Sequence, residues 1–271
     1  MTRLASVGDF ATHDDSEYPF LWDRCVSAYC PSVQVTGTRL YDFSLLRRVA
    51  TTSSLDLWTV QDGKWAITLD GNTERYTGDN NSITTTGTEN FTISAWAKPT
   101  TLSSTALNCV ASKSAGTGSP AVYFGWFLGF SSQYPHGYFG TSSTNYPITS
   151  ATIASTNQWY HLALVRSATK AELFVDGEPV GTVSIPAGTN LTSSTTSVAI
   201  GRRGSTADIS SFAGSIDDVR IYRRALSNPE IDLLSTSRGI AYASRKKIIA
   251  LDLGTSGKRF HARKTFSRLV H

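Results

Sequence analysis

GSIDDVRIYRRALSNPEI, residues 214–231, runs from a strand pattern straight into a helix signal. Asp217 and Asp218 stand side by side inside the strand-like part, where such a pair could be a catalytic dyad, a metal clamp or architecture. In a regular strand consecutive side chains point to opposite faces. The two carboxylates are therefore expected on opposite sides of a sheet, unable to share a substrate. Just downstream, Ser227 and Glu230 have capping-box spacing, Pro229 falls in the first turn, and Ile231, Leu233 and Leu234 supply an apolar side. This is the one convincing helix.

Upstream, the pattern is of strands. KWAITLDGNTERYTG places Trp65, Ile67 and Leu69 on one face and breaks at Asp70-Gly71. NFTISAWAKP sets Phe91, Ile93 and Ala95 on one side with Trp96 on the other, and closes at Pro99. Between Ala121 and Pro147 aromatics alternate with glycines, as in VYFGWFLGF and HGYFG, a composition suited to a curved sheet. QWYHLALVR reads as a strand, AELFVDGEPVGTVSI as a hairpin turning at Asp176-Gly177, and SVAIGRR as a further strand. The expectation is an all-β, antiparallel two-sheet sandwich with one short C-terminal helix.

Composition agrees. Only one Met and six Glu occur among 271 residues, against abundant turn and strand formers. The net charge of +4 is unevenly spread: residues 238–271 carry nine Lys or Arg against Asp252 alone, leaving 16 basic and 20 acidic residues elsewhere. A mildly acidic globule with a basic tail is the result, and the pI near 9.0 reports the tail. Three segments follow: residues 1–62 as an N-terminal arm and lead-in, 63–237 as the sandwich, and 238–271 as a basic C-terminal arm. The start of the chain has no apolar signal region, and no apolar run is long enough to span a membrane. Cys25 and Cys30 are spaced for one possible bridge, with Cys109 left over.

The order of the pieces resembles the laminin-G-like members of the concanavalin A-like lectin/glucanase superfamily. The residues that carry the resemblance are LDG at 69–71, FTISAWAKP at 91–99, QWYHLALVR at 158–166, ELFVDGEPV at 172–180, AIGRR at 199–203 and the opening stretch itself. PFLWDRCVSAYCPS and LYDFS, further upstream, look like the lead-in of such domains in phage-type and marine bacterial proteins. The resemblance implies a jelly roll whose concave face binds glycans in relatives. It also implies a structural calcium ion, with Asp217 as the best-matching ligand, then Asp218, and Asp70 from the LDG turn. The alternative is that Asp217 caps backbone N–H groups of a turn while Asp218 pairs with Arg220 or Arg223. Relatives carry a second acid after the LDG turn, where this chain reads GNTERY.

The enzymatic branch of that superfamily uses Glu-x-Asp-x-x-Glu on one strand, a spacing absent around Glu17, Glu74, Glu89, Glu172, Glu178 and Glu230. There is no nucleophile elbow, phosphate loop or His-Glu-x-x-His. His161 is expected to pack in or on the sheet. A non-enzymatic binding or structural role follows. Tyr123, Trp126, Tyr134 and Tyr138 are the stacking candidates for a cell-surface glycan, against the general tendency of sandwich aromatics to be core. The basic arm, with Arg245, Lys246, Lys247, Lys258, Arg259, Arg263 and Lys264, suggests anchoring to an acidic protein surface. Together these features suggest a phage virion surface protein, a capsid decoration or fibre. Its partners would be virion proteins and copies of itself, with nucleic acid and membrane not expected. A carbohydrate-binding module of a bacterial surface or extracellular protein is the alternative.

Overall fold

The computed structural model describes residues 16–243, except 34–35, 53–56, 73–75, 79–86, 103–106, 118–121, 142, 192–196 and 204–209. The strands, in chain order, are β1 Cys25–Tyr29, β2 Arg39–Tyr41, β3 Val49–Thr51, β4 Trp58–Gln61, β5 Lys64–Asp70, β6 Tyr76–Thr77, β7 Phe91–Thr101 and β8 Leu107–Thr117. They continue with β9 Val122–Ser131, β10 Tyr134–Gly140, β11 Asn145–Thr149, β12 Tyr160–Arg166, β13 Lys170–Val175, β14 Glu178–Ser184, β15 Ala199–Ile200 and β16 Ala213–Tyr222. One helix, α1, spans Asn228–Ser235. The first sheet runs β14-β13-β12-β7-β16-β5-β4 with β1 also on β16, and the second runs β11-β10-β9-β8-β15-β6-β3-β2. All pairings are antiparallel. This is the expected sandwich.

Alternation builds the core between the sheets. Phe91, Ile93, Ala95 and Ala97 of β7, Leu162 and Leu164 of β12, and Ile216 and Ile221 of β16 face Trp126, Leu128, Phe130 and Phe139 of the second sheet. Each fully buried side chain of this size is worth about 1.5–3 kcal/mol. Gly125 and Gly129 admit the close approach of β8: a Cβ at either would run into a backbone oxygen, of Lys113 or Asn108. The hairpin at Asp176-Gly177 has φ of 51° and 89°, the left-handed pair that a tight two-residue turn needs. β7 does not close at Pro99 but continues to Thr101; the pairing irregularity at Ala213/Gly214 accommodates the residue that cannot donate.

The boundary expected at residue 63 moves. β1 joins β16, β4 joins β5, and β2 and β3 extend the second sheet, so residues 25–61 are part of the sandwich. Residues 238–243 also pack, because Trp22 and Ser16 both donate to the Ala241 carbonyl. Leu21, Trp22, Ala28, Ile231, Leu234 and Ala241 form a further layer on the outer face of the first sheet, over Ala163, Val165, Phe174 and Tyr222. The possible Cys25–Cys30 bridge is excluded. The two thiols are free, Cys25 at the start of β1 and Cys30 just past its end, about 16 Å apart at strand rise.

The helix is capped as its spacing indicates. The Glu230 carboxylate accepts from Ser227 N at 2.9 Å and Ser227 Oγ at 2.8 Å, and Arg224 grips it with two nitrogens. Ser227→Ala is expected to cost about 1 kcal/mol in chemical denaturation; an unchanged midpoint would mean that Arg224 alone holds the turn.

Candidate ligand-binding site

The adjacent carboxylates come first, because their surroundings decide what they can do. Along β16 the ladder to β7 pairs Asp217 with Trp96 but Arg220 with Ser94, so one extra residue bulges out. Asp218 takes it up with φ of 46°, a left-handed conformation that Asp tolerates better than most residues. The bulge reverses the expected alternation: Ile216, Val219 and Ile221 all face the core, while Asp217, Asp218 and Arg220 contact the outer layer. It falls where β16 exchanges one neighbour, β5, for another, β1.

All four carboxylate oxygens are engaged. Asp217 Oδ1 accepts from the backbone N–H of Ser32 at 3.1 Å and of Asp218 at 2.8 Å, and Oδ2 accepts from Arg238 at 3.3 Å. Asp218 Oδ1 accepts from Arg220 Nε at 2.7 Å and Oδ2 from Gly239 N at 3.0 Å. The Arg220 guanidinium, wholly buried, lies 4.9 Å from the Trp22 ring and 4.8 Å from that of Tyr242. Arg238 stacks 4.2 Å over Trp159. Burial, reinforced by Asp218 and opposed by Arg238, pushes Asp217 up to about 7. Of the alternatives left open by the sequence, backbone capping by Asp217 and pairing of Asp218 with Arg220 are what the structure holds; Arg223 pairs with Glu89 instead.

This arrangement does not fit a calcium ion, which takes six to eight oxygens. The positive charge beside the two carboxylates is supplied by guanidinium groups. Asp70 is not brought to them: it pairs with Ala213, about 13 Å along β16 from Asp217, and binds Asn72. Among the described residues no group of three His, Cys, Asp or Glu could hold a metal. Chelation with EDTA, or addition of millimolar calcium, is expected to leave the melting temperature within about 1 °C; a calcium-dependent rise of several degrees would restore the metal reading.

Two of the other candidates, Tyr134 and Tyr138, lie on the outer face of the second sheet, whose cross-strand rows follow from the pairing. Pro147, Tyr138, Phe127 and Ser112 form one row. Beside it run Thr149, His136, Gly129 and Cys109, and on the other flank Asn145, Gly140, Gly125 and Ser114. Phe127 and Tyr138 stack with planes 3° apart and centroids 5.4 Å apart. Gly125 and Gly129, on the two flanks, let the β8 backbone pass close beside the pair, which is itself buried. Leu107, His136, Tyr138, Asn145 and Pro147 line a cleft of about 320 Å³.

The cleft's polar groups are fixed. His136 Nδ1 lies 2.8 Å from Thr149 Oγ1, and burial holds the imidazole down at about 4, so it is neutral at pH 7. The Tyr138 hydroxyl is 2.6 Å from Ser114 Oγ with the Arg203 guanidinium beside it, and burial pushes its pKa up to about 12.

The four expected stacking residues therefore part company. Tyr138 lines the cleft, and Tyr134, half-buried, lies on the same face two residues from His136. Trp126 is corrected: it is fully buried in the inter-sheet core, on the opposite face of β9 from Phe127, and cannot stack on a ligand. The side chain of Tyr123 lies outside the described residues, as do all seven basic arm residues, Arg245, Lys246, Lys247, Lys258, Arg259, Arg263 and Lys264. Sequence reasoning missed His136, Asn145 and Phe127. The signal was the shared parity of 125, 127 and 129 with 136, 138 and 140 across one hairpin, which puts aromatics and glycines together on one outer face.

Comparison with known proteins places the fold. A laminin-G profile of the concanavalin A-like lectin/glucanases superfamily matches residues 70–232. Among solved structures, the chain is similar to the binding domain of Paraclostridial Mosquitocidal Protein 1 (TM-score 0.58, 18% identity, covering 79% of this chain and 52% of that one). It is likewise similar to botulinum neurotoxin type C in a structure concerned with cell entry through two ganglioside molecules (TM-score 0.59, 14% identity, covering 81% and 52%). A third is the binding domain of botulinum neurotoxin DC in complex with SialylT (TM-score 0.54, 14% identity, covering 79% and 52%). The chain spans about half the length of these structures, and at such identities the likeness concerns the fold. No curated protein matches.

Proposed function

The chain belongs to the concanavalin A-like lectin/glucanase superfamily, and from that premise we propose a non-catalytic, lectin-like binding domain that takes a glycan in the cleft of the second sheet. The observation that carries this reading is the cleft on the outer face of the second sheet, whose lining by Leu107, His136, Tyr138, Asn145 and Pro147 sets a few polar groups among apolar ones. Sugar sites combine an aromatic surface with a few placed polar groups. The glycosidase alternative needs two carboxyl groups about 5–9.5 Å apart across a sugar. Among the described residues no acid lines the cleft, and the acids of β16 are closed inside the opposite face. Binding of the intact chain to a glycan array, abolished by Tyr138→Ala and weakened by Asn145→Ala, is the expected result. A folded chain that retains no glycan would overturn the reading.

One observation favours a displayed domain. Glu17 N donates to the Ala243 carbonyl at 2.7 Å, so the first and last described residues lie side by side. They do so at the outer layer of the first sheet, opposite the cleft. Attachment on one side and recognition on the other suit a virion surface protein held to shell proteins, or to copies of itself, through the basic arm. Removal of residues 244–271 is expected to abolish incorporation into particles on fractionation; unchanged incorporation would discard the anchor.

A further inference from the structure

We propose that β4 is an association edge, on which a second copy of this chain lays its own β4 antiparallel across a two-fold axis. The two sheets end at β14, β4, β11 and β2. An uncovered end offers its backbone groups to any further strand, and proline or charge commonly closes it. β14 carries Glu178 and Pro179, β11 carries Pro147, and β2 carries the exposed Arg39. β1 is covered by the chain after β2: Ala28 N donates to Asp42 Oδ1 at 2.8 Å, and Phe43 N to the Ala28 carbonyl at 2.9 Å. β4 has none of these devices. It reads Trp58-Thr59-Val60-Gln61, rich in strand formers and uncharged.

Pairing with β5 decides which backbone groups are left over. Thr68 N donates to the Leu57 carbonyl at 2.6 Å, so the alternation of an antiparallel ladder turns residues 57, 59 and 61 toward β5. The N–H and C=O groups of Trp58 and Val60 therefore point out of the edge. The side chains agree. Val60 is paired with Trp65, and the two are 57% and 41% exposed; among the described residues they are the large apolar side chains on strands that stand in water. With Trp58 of one copy opposite Val60 of the other, all four outward residues find partners at once. The row from Trp65 to Val60 then continues into Trp58 and Ile67 of the second copy. Aromatic against β-branched is a favourable cross-strand pair. No charge of β4 is buried, and the neighbouring Asp62 is turned away, to Lys98 at 3.3 Å and Trp159 Nε1 at 2.7 Å.

Area sets the strength. Four residues a side, with Val60 and Trp65 covered, stay below the roughly 1,200 Å² of a stable complex, which points to a weak dimer with a Kd of about 10–100 μM. β4 lies at the β2 end of the sandwich, where Trp58 donates to the Gly37 carbonyl at 2.6 Å, whereas Asn145 and Pro147 place the cleft at the β11 end. Pairing through β4 thus leaves both clefts open, whatever they bind.

The test is sedimentation velocity of the full chain from about 1 to 500 μM, a range that brackets this Kd. The chain is expected to pass from monomer to dimer across it. Val60→Lys, at an exposed side chain whose backbone groups β5 does not use, is expected to stay monomeric with an unchanged melting temperature. Amide hydrogen exchange of the wild type reads the edge itself: Trp58 and Val60 should gain about fourfold to tenfold protection over the same range, following the fall in unpaired chain. A monomer at every concentration would overturn the proposal. So would a dimer that Val60→Lys leaves intact, because its contact would lie elsewhere. Protection of Trp58 and Val60 that does not change with concentration would also overturn it, by showing that another part of the same chain covers the edge.

Discussion

Asp218→Asn is expected to lower the melting temperature by about 10 °C. The substitution keeps the size of the side chain, its tolerance of φ 46° and an oxygen for Gly239 N, and removes only the charge. Arg220 would then be a fully buried cation without its Nε–carboxylate bond at 2.7 Å. Leaving one member of a buried pair uncompensated costs about 3–5 kcal/mol, and 1 kcal/mol is about 2–4 °C for a domain of this size. The loss should be local as well as global, because Arg220 also supports Trp22 and Tyr242. Limited proteolysis of the variant should release the segments around residues 16–31 and 238–243 first. Arg220→Met in the same background should recover most of the stability, since a thioether fills the space between two rings without a charge to solvate. A single variant that melts within about 2 °C of the wild type would show that the pair contributes little.

That cluster also marks where reading the sequence succeeded and stopped. Strand and helix patterns were legible along β7, β12, β13, β14 and α1 because each is a local run whose apolar period survives intact. The bulge was legible in principle. Ile216 to Val219 is a step of three and Val219 to Ile221 a step of two, which a strand can keep on one face only by inserting a residue. The alternation rule applied to Asp217 and Asp218 alone missed this. β1 to β4 were not legible because they are three to five residues long, with mixed burial, and β1 is fixed by β16, far along the chain. The cleft was half legible: its aromatics stood out, but Phe127 and Trp126 are adjacent, and only the pairing of β9 with β10 decides which of them faces in.

Acidification from pH 6.5 to 5 is expected to destabilise the domain by about 1–2 kcal/mol, with His161 as the controlling group. His161 is buried on the outer face of the first sheet, 5.5 Å from the Trp96 ring. Burial, aided by the Arg220 charge, lowers its pKa to about 3. His136 is lowered by burial to about 4. An unfolded histidine titrates near 6.5, so below that pH the unfolded chain binds two protons that the folded chain refuses, and stability falls as pH falls. Asp217 acts in the opposite sense. Burial raises it to about 7 while an unfolded Asp titrates near 3.9, so between those values the folded chain holds one proton more than the unfolded. Two protons against one leave a net uptake on unfolding that approaches one proton at pH 5, a slope of about 1.4 kcal/mol per pH unit. Asp42 and Asp176, also raised by burial, work in the same direction as Asp217. His161→Gln removes one of the two opposing histidines, so His136 and Asp217 nearly cancel and the stability profile between pH 5 and 6.5 should become flat. Denaturant melts of both proteins across that interval decide the matter: a variant that still loses stability as steeply as the wild type would show that the proton is taken up elsewhere.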